Sequence, residues 1–189
     1  DIDKKEIEEL GVDIMDPVNL SKVVKPTVGQ LYNAGRSDGY AHKGIDYSPS
    51  PEFDNTKINV VSPVSGIIKH IVSGCVAGIK ECGAGTGYAG LGNHVIIERV
   101  MLEKGKTGWD AGKVSKYHFV LAHMRPKEFT TAIVDSAIKQ GVKLGVMGNT
   151  GNSTGTHLHY EIRRWVIDES LSERMQYLNP DKFSSEYLK

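Results

Sequence analysis

The sequence of 189 residues lacks three features that would each define a class of protein. No apolar run approaches the ~18–20 residues of a transmembrane helix, and there is no low-complexity tract or short-period repeat. The 23 basic and 23 acidic side chains leave no net charge, whereas a nucleic-acid-binding surface usually needs a basic excess. We therefore expect no membrane span and no nucleic-acid partner, and the composition fits one ordinary globular domain.

Cysteine is also scarce, since the chain has only Cys75 and Cys82. A cysteine metal site normally needs closer spacing and a second pair. The two residues lie in a glycine-rich stretch, SGCVAGIKECGAGTGYAGLGN, over residues 73–93. One interpretation is a disulfide that closes a short loop, which would favour an oxidising compartment. The other is a pair of unrelated free thiols.

The first residues are acidic and contain no apolar leader. Asp3 followed by Glu6 resembles a helix capping box, so a short helix is predicted over Asp3–Leu10. We interpret residues 1–23 as an acidic N-terminal linker or helix and residues 24–189 as the functional domain. This interpretation favours a domain of a larger parent protein, whose other domains would be partners.

Short strands separated by turn-rich segments dominate the rest of the chain. The predicted strands are Lys57–Val61, Gly66–Val72, His94–Val100, Lys116–His123, Gly141–Gly148 and Gly155–Trp165. A polar hairpin loop is predicted over residues 102–115, and one helix over Thr130–Lys139. The pattern predicts a mainly β, antiparallel domain.

Four residues in two short motifs have the chemistry of a metal site. His157 and His159 are two apart, so on a strand they share a face. His42 and Asp46 are four apart and share a face on a strand or a helix. A catalytic zinc site has three protein ligands and one open position. His42, Asp46 and either His157 or His159 would form such a set, and the spare histidine would serve proton transfer or oxyanion stabilisation.

A further histidine, His123, ends a strand whose alternation places it on one face with Phe119 and Leu121. No H-E-x-x-H motif supplies a glutamate base. A purely structural zinc site would need a fourth protein ligand, and the sequence offers no obvious one. Each motif alone is weak evidence, and it is their combination that favours a metal-dependent site.

Several segments, taken in chain order, resemble a known family. They are HKGIDYS at 42–48, LAHM at 121–124, GNTGNSTGTHLHYEIR at 148–163 and LNPDKF at 178–183. Over Pro26–Phe183 the chain is similar to the M23 zinc metallopeptidases, the lysostaphin and LytM type of peptidoglycan endopeptidase. The resemblance implies the antiparallel sheet of that type with short peripheral helices.

Carried over by position, the resemblance makes His42, Asp46 and His159 the ligands of one Zn²⁺ per chain. It makes His123 and His157 the catalytic pair. Glu161 follows His159 by two residues and so shares its face on a strand; the resemblance gives it a structural role, and the alternative is that it supports the ligand histidine. Two departures from the family pattern are Thr156, where Pro or Ala is common, and the longer segment 73–93. That segment would line or roof the substrate groove.

The implied function is a zinc-dependent endopeptidase that hydrolyses peptide bonds in bacterial peptidoglycan. The settings that fit are a bacterial cell-wall hydrolase, a secreted lysin and a phage tail or virion-associated lysin, so the expected location is extracellular, cell-wall or periplasmic, or virion-associated. The alternative is a non-catalytic M23-like module that binds cell wall or acts as a scaffold. The intact set of five site residues argues for the enzyme.

Overall fold

The structure, a computed structural model, describes residues 14–27, 30–33, 35, 41–53, 57–83, 90–102, 114–167 and 173–183. Its strands are β1 (Ile45–Tyr47), β2 (Asn59–Val61), β3 (Gly66–Val72), β4 (Asn93–Leu102), β5 (Val114–Met124), β6 (Ala137–Ile138), β7 (Lys143–Val146), β8 (Leu158–Ile167) and β9 (Glu173–Leu178). Three 3₁₀ turns lie at Leu20–Lys22, Pro51–Phe53 and Pro180–Lys182.

The larger sheet of the described residues has seven strands, of which six follow the order β1-β8-β5-β4-β3-β6 and the seventh, β9, pairs with β8. Strand β8 lies next to one edge of the sheet, because β5 pairs along one side of it while the short edge strands β1 and β9 pair along the other. Strands β2 and β7 form a separate two-stranded sheet. Every pairing is antiparallel, which confirms the mainly β, antiparallel fold predicted from the sequence.

The predicted hairpin between the fourth and fifth strands is present as an antiparallel pairing of β4 with β5. Residues 103–113 of its loop lie outside the described residues, as does the helix predicted over Asp3–Leu10.

The helix predicted over Thr130–Lys139 is wrong. The segment is extended, with a turn in which Asp135 has φ of 67°, and it ends in β6. Its backbone bonds to neighbouring strands: Thr130 donates to the Leu144 carbonyl at 2.7 Å, and Asp135 donates to the Ile68 carbonyl at 2.7 Å. Four β-branched residues in its first five positions already lower helix propensity, and the strand edges then satisfy its backbone polar groups.

The two faces of the large sheet have different contents. One face, with β2 and β7 packed over it, holds the hydrophobic core, which includes Ile68, Ile97, Phe119, Leu121, Leu158 and Ile162. The alternate residues of the same strands form the other face, where a small apolar cluster of Leu91, Ile96, Val120 and Ala122 lies. His159 and Glu161 alternate with Leu158 and Tyr160, so they belong to this second face.

Residues 14–23 contact the domain. Val18 is part of the core, and the Val61 amide donates to the Pro17 carbonyl at 2.9 Å. In the described part of the chain, no helix has both the length and the apolar composition needed to cross a membrane.

Candidate metal centre

The edge of the large sheet brings the two sequence motifs together. Asp46 in β1 lies directly opposite His159 in β8, and His42 comes three residues before β1. Gly44 permits this approach, because a side chain there would collide with the Tyr160 carbonyl oxygen. The glycine within HKGID is thus a requirement of the strand pairing that builds the site.

Three ligand atoms, from His42, Asp46 and His159, lie within 4.8 Å of one another. Asp46 Oδ1 is 2.8 Å from His159 Nδ1 and 3.2 Å from His42 Nε2. The two ring nitrogens are 3.2 Å apart. Two imidazole nitrogens and a carboxylate oxygen that converge in this way are a suitable donor set for zinc.

The remaining ring nitrogens of the two histidines are held by acceptors. His42 Nδ1–H donates to the Leu31 carbonyl at 2.9 Å, which leaves the lone pair of Nε2 directed at the centre. His159 Nε2–H donates to Glu161 Oε1 at 2.8 Å. Arg163 holds the other oxygen of Glu161, with Nη2 at 2.7 Å and Nε at 2.8 Å. A carboxylate that orients a ligand histidine is a common arrangement behind metal sites.

Glu161 therefore supports the ligand ring, which was the alternative to the structural role implied by the resemblance. The spacing of two on a strand had placed it on the face of His159. That spacing was the sequence signal for the contact. A carboxylate two residues from a ligand histidine lies on the same strand face, within reach of the ring nitrogen that does not bind the metal.

Two more imidazoles lie beside the three ligand atoms. The ring centroids of His123 and His157 are 4.6 Å apart, and His157 Nε2 is 3.9 Å from Asp46 Oδ1. His157 Nδ1–H donates to the Gly155 carbonyl at 2.8 Å, and His123 Nδ1–H donates to the Thr150 carbonyl at 2.7 Å. Because a carbonyl only accepts, both rings carry their proton on Nδ1, and each Nε2 is available to take a proton.

His123 reaches this face by a break in strand alternation, and the predicted shared face with Phe119 and Leu121 is wrong. Those two side chains lie in the core, whereas the His123 ring lies against His157 on the other face. The reason is the backbone of His123, whose φ of 64° is in the left-handed region.

The electrostatics favour a cation between the acidic groups. Burial would raise the pKa of Asp46, but hydrogen bonds from His159 and His42 outweigh burial and hold that pKa far below its usual value. Burial likewise opposes ionisation of Glu161, yet His159 and Arg163 lower its pKa to about 2. Burial would lower the pKa of His159, but the two carboxylates raise it to about 9. The protein therefore keeps two ionised carboxylates around one imidazole.

The second pair of histidines is kept neutral. Burial, aided by the neighbouring His157 and His159, lowers the pKa of His123 to about 3. Burial is also the main cause that lowers the pKa of His157. Near neutral pH both rings are therefore neutral imidazoles, each with one nitrogen lone pair.

Cys75 and Cys82 form a disulfide, as predicted. The loop they close lies next to the turn at 148–155, because Ala77 forms an isolated β-bridge with Thr150. Val76 and Ile79 in this loop are 54% and 51% exposed. Apolar side chains are thus presented to solvent on a loop that touches the turn leading into His157 and into His159 of β8.

The model of peptidase family M23 matches residues 40–180. No match was found among curated proteins. Among solved structures, a putative glycyl-glycine endopeptidase lytM from Ruminococcus gnavus is 19% identical, with a TM-score of 0.52, over 89% of this chain and 58% of that one. That likeness supports the fold.

Two further structures are similar at lower TM-scores. The catalytic domain of lysostaphin from Staphylococcus simulans is 22% identical over 87% of this chain and 92% of that one, with a TM-score of 0.48. The catalytic domain of the prophage-encoded M23 protein EnpA from Enterococcus faecalis is 22% identical over 90% of this chain and 95% of that one, with a TM-score of 0.46.

Proposed function

This chain belongs to peptidase family M23, and we propose that it is a zinc-dependent endopeptidase that hydrolyses peptide bonds in bacterial peptidoglycan. The observation that carries this proposal is the convergence of three ligand atoms within 4.8 Å, with two neutral imidazoles beside them. An open three-ligand set next to acid–base groups is suited to hydrolysis rather than to a closed structural site.

His42 Nε2, Asp46 Oδ1 and His159 Nδ1 would hold one Zn²⁺ per chain. Such an ion, when bound, supplies a Lewis acid that lowers the pKa of a water molecule and polarises a carbonyl. Glu161 keeps the His159 ring oriented and its Nε2 protonated, through a contact of 2.8 Å. The carboxylate of Glu161 is itself fixed by Arg163.

His123 and His157 would move the proton. One Nε2 takes it from the attacking water and delivers it to the nitrogen of the leaving amine, so that the C–N bond breaks as the N–H bond forms. The Nδ1–H of the other imidazole is committed to a backbone carbonyl, so that ring would donate to the oxygen on which negative charge develops only after its Nε2 has taken up a proton. The carbonyls of Thr150 and Gly155 hold both rings as the Nδ1–H tautomer, which leaves each Nε2 as the proton acceptor.

The same proposal extends to context. Residues 24–189 would be the peptidase domain, preceded by residues 1–23 in a larger parent protein. The disulfide fits action in an oxidising place, so the enzyme would work outside the cell, in the wall or periplasm, or on a virion.

The test combines zinc analysis with digestion of purified peptidoglycan from several bacteria, followed by mass spectrometry of the released muropeptides. We expect about one zinc per chain and the appearance of new amino and carboxyl termini at one type of peptide bond. The Asp46→Ala variant is the control for contaminating hydrolases. A zinc-loaded protein that binds walls but releases no peptide from any of them would overturn the proposal in favour of a binding module.

A further inference from the structure

The backbone conformation of His123 is unusual and must be held by the residues around it. Its φ of 64° is uncommon for a residue with a side chain. A conformation of this kind persists where the surrounding structure holds it in place, and such positions cluster at functional sites. His123 and its ring are buried, so the groups that hold them lie in the protein interior.

Two buried side chains hold the peptide that follows Met124, the residue next to His123. The Met124 carbonyl accepts a hydrogen bond from Asn93 Nδ2 at 3.0 Å and another from Thr150 Oγ1 at 2.8 Å. Asn93 begins β4, and Thr150 lies in the turn before β8. Both residues are almost fully buried. The orientation of this carbonyl fixes the ψ of Met124, and so the course of the chain as it leaves His123.

Thr150 also holds the ring of His123. Its carbonyl accepts from His123 Nδ1–H at 2.7 Å, so one residue contacts both the imidazole of His123 and the carbonyl of Met124. The Asn93 amide N–H donates to Thr150 Oγ1 at 3.0 Å. The threonine hydroxyl therefore accepts from one strand and donates to another, which fixes the turn relative to β4 and β5.

Asn93 connects this network to the disulfide loop. Its Oδ1 accepts from the Cys75 amide at 2.8 Å, and its Nδ2 donates to the Cys75 carbonyl at 3.0 Å. Every hydrogen-bonding atom of the Asn93 side chain is used, which is expected of a fully buried amide. The side chains of Asn93 and Thr150 thus connect four segments, which are the disulfide loop, β4, the end of β5 and the turn before β8.

We propose that Asn93 and Thr150 are positioning residues that hold the His123 imidazole in the orientation and tautomer used for proton transfer. The proton-transfer role of His123 rests on the proposed function, whereas the grip on its ring and backbone does not. Neither residue belongs to the three-ligand set, so their replacement should leave metal binding intact while disturbing His123.

The principal variant is Thr150→Val, which removes the hydroxyl and keeps the shape and the carbonyl. Thr150→Ser restores the hydroxyl, and Ser62→Ala removes an equally buried hydroxyl whose bond to the Val64 carbonyl is remote from the centre. For Thr150→Val we expect stoichiometric zinc, a kcat lowered by about 10-fold or more and a nearly unchanged KM, the scale seen for residues that orient active groups. Thr150→Ser and Ser62→Ala should keep a kcat close to that of the wild type.

A second readout does not depend on activity. The His123 Nδ1–H proton should give a slowly exchanging imidazole signal by NMR in the zinc-loaded protein, because it is buried and bonded to a carbonyl. In Thr150→Val its exchange with water should accelerate by about 10-fold or more, on the same scale, and Thr150→Ser should restore it. If Thr150→Val does not fold, Thr150→Ala and Asn93→Asp are measured in the same way.

The outcomes separate the two proposals. An unchanged His123 signal together with an unchanged kcat, with only the melting temperature lowered, would show plain structural roles and overturn the inference. A wild-type protein that cuts no wall, but whose His123 signal responds as expected, would overturn the proposed function and still support the grip on His123.

Discussion

His159 is the residue on which the centre depends most, because both of its ring nitrogens are engaged. Nδ1 lies 2.8 Å from Asp46 and Nε2 lies 2.8 Å from Glu161. In the metal-free protein both nitrogens donate, which accounts for the raised pKa of the ring. A metal ion on Nδ1 would replace that proton and leave the bond to Glu161 in place.

Replacing any one ligand should remove the metal. We expect His42→Ala, Asp46→Ala and His159→Ala each to lose stoichiometric zinc, because a three-ligand site loses most of its affinity with one ligand gone. His118→Ala is the matched control, since His118 also contacts a carboxylate, Glu98 at 2.7 Å, away from the centre. Zinc content by atomic emission is the measurement. Full zinc in His159→Ala would contradict the ligand set and indicate His157 instead.

Replacing the other two histidines should separate catalysis from metal binding. His123→Ala and His157→Ala should keep zinc and lose turnover by about 10² or more, the usual scale for one acid–base or oxyanion group. Turnover on soluble muropeptides and zinc content are measured on the same samples. Near wild-type turnover in His123→Ala would leave the LAHM segment with no role beyond ending a strand.

The sequence allowed the residues that meet at the site to be predicted, but not how His123 reaches it. Spacing and family pattern place the ligand residues on short motifs in one strand pair, which is local information. The left-handed residue His123 is followed by Met124, whose carbonyl is bonded to Asn93 and Thr150, about thirty residues away on either side. Alternation on a strand, the only rule available from sequence, gives the opposite face.

At the scale of elements, strands were predictable where they alternate or are rich in Val and Ile, and the segment 130–139 was not. Its helical pattern is weak, and its backbone is taken up by the edges of β3 and β7. Propensity is overridden when tertiary partners satisfy the same polar groups.

The pairing of Cys75 with Cys82 was a correct prediction because the two residues can only pair with each other in this chain.

The disulfide loop is the element whose removal should affect substrate use. Closing so short a loop restricts the unfolded chain by about 2–3 kcal/mol in the chain-entropy model. After reduction, the backbone N–H and carbonyl of Cys75 keep their hydrogen bonds to the Asn93 side chain. The part of the loop that reduction releases is therefore the exposed segment that contains Val76 and Ile79. We expect reduction to alter activity on intact walls more than melting temperature or zinc content.

The Cys75→Ser, Cys82→Ser double variant repeats that experiment without reductant and controls for its effect on zinc. Two free thiols in the denatured, unreduced protein would remove the basis of the prediction. A large fall in melting temperature with unchanged wall activity would make the bridge a structural staple.

At the scale of the whole molecule, the two faces of the large sheet have different roles. The core face provides stability through buried apolar groups. The other face holds buried polar groups, which include His94 and Glu161 as well as the ligand histidines. His94 is fully buried and its Nδ1–H donates to the Gly92 carbonyl at 2.8 Å. Burial lowers the pKa of His94 to about 4, against 6.5 for an unperturbed histidine, and the neighbouring His70 adds to the effect.

A buried neutral histidine makes the fold sensitive to acid, with a sign that follows from the two pKa values. Below pH 6.5 the unfolded chain binds a proton at His94, whereas the folded protein binds it only near pH 4, so the free energy of unfolding falls as the pH decreases between these values. The slope of the unfolding free energy with pH that is due to His94 approaches about 1.4 kcal/mol per pH unit. His94→Asn keeps a donor for Gly92 and removes the titration, so its unfolding free energy should fall less steeply over this range. Urea unfolding of the metal-free wild type and of metal-free His94→Asn, from pH 7 to pH 4, measures the two slopes. The site histidines titrate in both proteins, so their effect drops out when one slope is subtracted from the other. Parallel curves would show that His94 titrates normally in the folded state and would contradict the prediction.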